Sequence, residues 1–323
     1  MRRASLSLSP LDGEKSCRKR FWFSVTELLG KPRCRRLRED QYGSQRNRPK
    51  DLPAHIPFVA CDVLDANSVR NAARGVKQIV IAIGFAYERA TWRAQWPKAM
   101  AHSLAAAEHE KARVVFVDNL YMYGPQSEPL REDMALQDYG AKPAVRAAIT
   151  RQWMEAHKAG RVKVAALRAP DFYGPGVTQS HLGDVAFGNL AKGKSAMLIV
   201  DPDQPHAFAY VPDIARGVVS LLDAPDEDFG QAWHIPCAPM TTPREILSIG
   251  AQSLGQKLKI TSIPLWALSF FGLFMPFMKE MVEMRFQWDR PYDVDSSKFA
   301  KRFWSNATPF EIGAAETARS FLP

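Results

Sequence analysis

The stretch "RVVFVDNLYMYGP", Arg113 to Pro125, runs from an apolar segment into Asp118, Asn119, Tyr121 and Tyr123, just ahead of a Gly-Pro turn. An asparagine there can polarise a substrate carbonyl by donating a hydrogen bond; a carboxylate at Asp118 can do so only when protonated. Asp and Asn also favour turns for local reasons alone, and tyrosines before such a turn commonly pack with the hydroxyl reaching solvent. A catalytic strand end and a strand merely meeting its loop are both open readings. Metal chemistry has less support. Cys17, Cys34, Cys61 and Cys237 are scattered without a CxxC pair, and among the seven histidines only His102 and His109 could share one helix face.

The surrounding elements form a regular series from residue 56. "FVAC" (58–61), "QIVIAI" (78–83), "RVVFV" (113–117) and "VKVAAL" (162–167) are short runs rich in β-branched residues, each followed by helix-like sequence. Continuous apolar strands alternating with helices predict an α/β fold with a parallel sheet covered on both faces. "DANSVRNAARG" offers Asn67 or Ser68 as N-cap and Gly75 as the stop. "KPAVRAAITRQWMEAHKAG" places Pro143 in a first turn and ends at Gly160. Later pieces, "AMLIV", "AFAYV", "QAWHI" and "KLKITSI", lose the simple alternation and predict an added lobe interleaved with the main sheet.

From this point the chain resembles the extended short-chain dehydrogenase/reductases, the NAD-dependent epimerase/dehydratase family, over about residues 56 to 323. "ACDVLD" looks like the acidic turn after the family's third strand, and "IAIGFAY" lies where its fourth strand ends. "LRAPDFYGPG" is similar to its Arg-x-Pro-x-x-Tyr-Gly-Pro-Gly stretch, and "FAYVPDIARGVVSLLD" and "TTPREILSIGAQSLG" look like the helices that follow. The resemblance implies a Rossmann-type doubly wound parallel sheet with a smaller C-terminal substrate lobe. Its expected division is a nucleotide-binding part at 51–175 and a substrate lobe at 176–323. It further implies NAD or NADP as cofactor, with Asp62, Val63, Ile83, Gly84, Asp118, Pro170 and Tyr173 lining the nucleotide site. A small carbonyl, sugar or apolar alcohol is the implied substrate, and a homodimer is a possible assembly.

Two family features are missing. The Gly-rich loop that brings pyrophosphate to a helix N-terminus has no counterpart, since the early glycines are only Gly13, Gly30 and Gly43. The family's tyrosine acid/base, with a lysine four residues later that lowers the phenol's pKa, is also disrupted. Tyr139 and Lys142 are three apart, and Pro143 suggests that both precede the helix; aligning on the helix start instead puts Lys142 at the tyrosine position and Arg146 at the lysine position. Asp118 and Asn119 fill the Ser/Thr place, and Tyr121 or Tyr123 could supply the missing phenol. Asn119, Tyr123, Tyr139, Lys142 and Arg146 are therefore the catalytic candidates, in an oxidoreductase or epimerase with a degenerate site. The alternatives are a non-catalytic nucleotide-binding regulator and an inactive product of a frame-shifted gene.

Composition places the anomaly at one end. The net charge of +9 comes from residues 1–50, with 14 Lys/Arg against 5 Asp/Glu, while residues 51–323 hold 29 of each. A neutral body without a basic, aromatic-interleaved face argues against nucleic acid as partner. Residues 1–50 read as an aberrant basic extension that does not join the fold, the product of a shifted frame or altered gene start, with Phe21 to Val25 the one strand-like run. Twin arginines without an apolar region behind them argue against a secretory signal. The most apolar run, Pro264 to Met278, carries two prolines and falls short of a span of about 20 residues; it reads as a packed helix, and the protein as cytoplasmic.

Overall fold

The computed structural model describes residues 20–23, 41–48, 56–199, 201–271 and 276–322. Seven strands form one parallel sheet: β1 Arg20–Phe23, β2 Gln41–Gln45, β3 Phe58–Ala60, β4 Gln78–Ile81, β5 Arg113–Asp118, β6 Val164–Arg168 and, after three shorter strands, β10 Ala232–His234. The omitted strands are β7 Asp171–Tyr173, β8 Ala196–Leu198 and β9 Phe208–Tyr210; a last one, β11 Ile260–Ser262, pairs with β8, while β7 pairs with β9. Across the sheet the order is β10-β6-β5-β4-β1-β2-β3, so the strands carrying Phe58, Val80, Val115 and Val164 share one parallel sheet, as the apolar runs predict.

Two pieces of the basic segment, β1 and β2, pair into the sheet, which its composition did not predict. β1 lies between β2 and β4, with Phe21 opposite Tyr42 on one side and Ile79 on the other. The strand-like run is seen as Arg20–Phe23; Ser24 and Val25 lie outside the described residues. "QYGSQ" at β2 has little strand propensity, so the vacancy between β4 and β3 decides its state more than its own residues do.

The helices are α1 Ala66–Ala72, α2 Arg89–Glu110, α3 Lys142–Lys158, α4 Asn189–Ala191, α5 Val211–Asp223, α6 Pro243–Ser253, α7 Leu265–Phe271, α8 Pro276–Glu283, α9 Ser297–Arg302 and α10 Phe310–Ser320. Asp65, rather than Asn67 or Ser68, caps α1, because its side chain accepts from the Asn67 N–H at 2.9 Å. Ser68 instead receives the Asp62 N–H through its hydroxyl. Gly75 and Gly160 stop α1 and α3 at φ of +74° and +70°, where a side chain would be strained. Lys142 opens α3 with Pro143 second, so only Tyr139 precedes the helix.

Strand alternation sorts the core into two layers. Ile79, Ile81, Val114, Phe116, Val164 and Ala166 face α1, α2 and α3; Val80, Val115, Ala165 and Leu167 face α5 and α9. Gly217 lets α5 approach closely, since a Cβ there would sit 2.5 Å from Ile235 Cδ1. A third cluster, including Phe187, Phe208, Leu247 and Ala314, fills the lobe beyond β7. The apolar run at 264–278 is not the packed helix expected: it contributes to both α7 and α8, and Trp266 and Phe270 are 74% and 57% exposed. No helix among the described residues is long and apolar enough to cross a membrane.

Candidate active site

Three neighbouring strands end in register on charged or polar residues: Asp118 on β5, Arg168 on β6 and His234 on β10. The carboxyl ends of the strands are where ligands bind in open α/β sheets. Asp118 is buried, and its Oδ1 receives Arg146 Nη1 at 2.9 Å and the Asn119 N–H at 2.8 Å. Arg168 Nε lies 3.7 Å from its Oδ2. Burial raises the Asp118 carboxyl above the usual range, against the pull of Arg146 and Arg168. The Arg146 guanidinium in turn lies over Trp96 at 3.8 Å and Trp92 at 4.9 Å, a cation–π box that helps to offset its own desolvation.

Lys142, fully buried, is neutralised from the opposite wall. Glu280 of α8 bonds its ammonium, and Glu283 Oε2 approaches to 3.5 Å. Glu283 also accepts the Lys142 and Ala141 backbone N–H groups, capping α3. Burial works against the Glu280 charge, but Lys142 and Arg89 outweigh it and hold the carboxyl below its ordinary value. The ammonium sits 4.5 Å over the Tyr87 ring.

The candidates therefore divide. Lys142 and Arg146 flank the strand ends, each tied to carboxylates. Asn119 spends its Oδ1 on the Tyr121 N–H at 3.1 Å. Tyr123 is fully buried: its hydroxyl accepts from Arg168 and donates to His234 Nε2 at 2.9 Å, while His234 Nδ1 donates to the Asp295 carbonyl. Burial pushes the Tyr123 phenol up to about 12 and the His234 imidazole down to about 3. Tyr139 is 41% exposed with its ring edge against Phe286. Tyr123→Phe is expected to cost about 1–3 kcal/mol by leaving Arg168 and His234 without their shared hydroxyl. A drop in urea midpoint would show this; a loss of turnover at unchanged stability would mark the phenol as catalytic instead.

Among the expected nucleotide contacts, Asp62 follows β3 and accepts the Leu64 N–H at 2.9 Å, and the Val63 carbonyl meets His102 Nδ1 at 3.1 Å. Ile83 and Gly84 follow β4, and a Cβ on Gly84 would meet nothing within 4 Å. Pro170 lies between β6 and β7. Tyr173 is buried, its phenol pushed far up by desolvation and its hydroxyl unpartnered. The connection between β1 and β2 carries Gly30 as its one glycine, and its residues lie outside those described.

Sequence reasoning missed Glu280, Glu283, Gln287, Asp171 and His206. Tyr121, stacked on Trp92 at 6.1 Å, hydrogen-bonds Tyr87 and Gln287, and its phenol is pushed up to about 12 by burial, with the Asp171 charge adding to it. The signal for Glu280 and Glu283 was their spacing of three on "MKEMVEMR", which puts both on one helix face.

A family model described as NAD dependent epimerase/dehydratase family matches residues 25–235, starting earlier than the resemblance to the family predicts. Solved structures similar to the chain include the UDP-glucuronic acid 4-epimerase of Bacillus cereus in complex with NAD, with a TM-score of 0.73 at 15% identity over 94% of this chain and 98% of that one. A dTDP-glucose 4,6-dehydratase from Streptomyces venezuelae with NAD bound, a double mutant, gives 0.73 at 18% identity over 94% and 96%. The Thermus thermophilus UDP-glucose 4-epimerase complex with NAD gives 0.72 at 16% over 94% and 98%. These likenesses establish the fold alone. No curated protein sequence matches the chain.

Proposed function

Because the chain belongs to the NAD dependent epimerase/dehydratase family, we propose that it is a nucleotide-binding, oxidoreductase- or epimerase-like protein for a small carbonyl, sugar or apolar alcohol, with a degenerate active site. The observation that carries this reading is the fate of the two cations on α3. In the family's chemistry a lysine lowers the pKa of a nearby phenol; here Lys142 is bound by Glu280 and Glu283, and Arg146 by Asp118. The phenols at the strand ends, Tyr121 and Tyr123, are pushed up instead of down. A group held this far above neutral pH remains protonated, so it can donate a hydrogen bond but is a poor base.

The neutralised Lys142 also favours a second reading, a non-catalytic regulator that retains nucleotide binding. Asp62 and the loop after β4 support the adenosine end, whereas the missing glycine loop supports weakened affinity for the whole dinucleotide. NAD, NADP and ADP-ribose titrated by calorimetry, followed by a carbonyl and alcohol panel, test both readings. Binding with turnover supports the first, binding without turnover the second. No binding of any of the three ligands would refute both.

A further inference from the structure

The lobe beyond β6 holds a polar constellation that uses neither Asp118 nor Lys142. Asp171 opens β7, and His206 lies two residues before its partner strand β9. His206 Nε2 meets Asp171 Oδ2 at 2.9 Å, and the imidazole is only 1% exposed. A carboxylate can only accept, so Nε2 carries the hydrogen, and in the neutral imidazole Nδ1 is then a lone pair. That nitrogen has no partner. The ring cannot easily turn to find one, because it lies parallel to Trp288 at 4.1 Å and near-parallel to Tyr292 at 4.9 Å.

Two further acceptors accompany it. His181 stacks on the same Trp288 at 3.8 Å; it hydrogen-bonds the Ile199 backbone while its Nε2 is unpartnered, and burial lowers its pKa to about 4. Gln287, 2% exposed, hydrogen-bonds Tyr121 and leaves its Oε1 unpartnered. Buried polar atoms are rarely left unmatched. Two imidazole nitrogens without donors on one ring stack, with the unpartnered Gln287 Oε1 beside Tyr121, therefore mark a place where a ligand brings the donors. Asp171 itself is 18% exposed, which leaves a route to solvent.

We propose that the Asp171–His206 pair is a hydroxyl-reading site, in which His206 Nδ1 accepts the hydroxyl hydrogen of a small neutral alcohol and Asp171 fixes the tautomer that makes this possible. The proposal rests on the reading of the chain as a small-molecule oxidoreductase-like protein and narrows its ligand to one that turns a hydroxyl towards the second lobe. His206 is here a binding residue for specificity; no proton need leave the ligand.

The test uses the full chain labelled with ¹⁵N-histidine, with cyclohexanol as probe and methoxycyclohexane as the control that cannot donate. His206 is expected in the Nε2–H tautomer, with a saturable Nδ1 shift on adding cyclohexanol and none with methoxycyclohexane. His206→Phe keeps a ring in the stack and is expected to weaken cyclohexanol binding about tenfold, with NAD affinity unchanged. An Nδ1–H tautomer in the wild type, an equal response to methoxycyclohexane, or full cyclohexanol binding by His206→Phe would overturn the proposal. The tautomer is read without any variant, so a misfolded His206→Phe does not protect the idea. Loss of NAD binding with the cyclohexanol response intact would instead sink the nucleotide reading alone.

Discussion

Arg146→Leu is expected to destabilise the protein by about 3–5 kcal/mol, the range for removing one partner of a buried ion pair. Asp118 has a fully buried side chain, and Arg146 is its one close charged hydrogen-bond donor; Arg168 is at 3.7 Å and engages Tyr123 and Thr150. Leucine also vacates the box formed with Trp92 and Trp96. The loss should depend on pH. With the arginine gone, burial dominates, the Asp118 pKa climbs further above its unfolded value of about 3.9, and the folded state binds the proton more tightly than the unfolded one. Stability then falls as pH rises through the window from the unfolded to the folded pKa, so the deficit is greatest near neutrality and shrinks as the medium is acidified towards about pH 4. Adding Asp118→Asn to Arg146→Leu should recover part of the loss at pH 7. Urea midpoints for the two variants at pH 4.5 and 7.5 check this, and a pH-independent deficit would show that lost packing, not the stranded carboxylate, is responsible.

Removing residues 1–50 is expected to abolish cooperative folding altogether. β1 supplies both neighbours' ladders in the middle of the sheet, and its removal together with β2 strips β4 of a four-residue pairing and isolates β3. Each unpaired backbone group costs about 1–3 kcal/mol if it stays buried, which against a total stability of roughly 5–15 kcal/mol leaves nothing to spare. Far-ultraviolet circular dichroism and a urea titration of the truncated chain read the outcome. A sharp transition near that of the full chain would mean that β1 and β2 are dispensable.

The sheet was largely legible because Val80, Val115 and Val164 sit in short β-branched runs whose two faces are both buried. β1 and β2 were not, since arginine-rich surroundings and "QYGSQ" say nothing of a gap that only neighbouring strands define. At the site, both residues that the alignment on the start of α3 offers, Lys142 and Arg146, are ion-paired in the structure. Their neutralisation was illegible: Glu280 is 138 residues from Lys142 in sequence, and no local pattern encodes a contact across that distance. Asp171 stood in view inside "LRAPDFYGPG", but its partner His206 lies just ahead of another strand, and one acidic residue at a strand start carries no sign of the imidazole it will meet.

The place of β1 has a consequence for synthesis. Arg20 pairs with Gln78, so a ribosome working at about 5–20 residues per second delivers that partner roughly 3–12 seconds after the arginine itself. During the interval a nascent strand with Phe21, Trp22 and Phe23 has no β4 to dock on, and its unpaired edge and aromatic side chains stay open to off-pathway association.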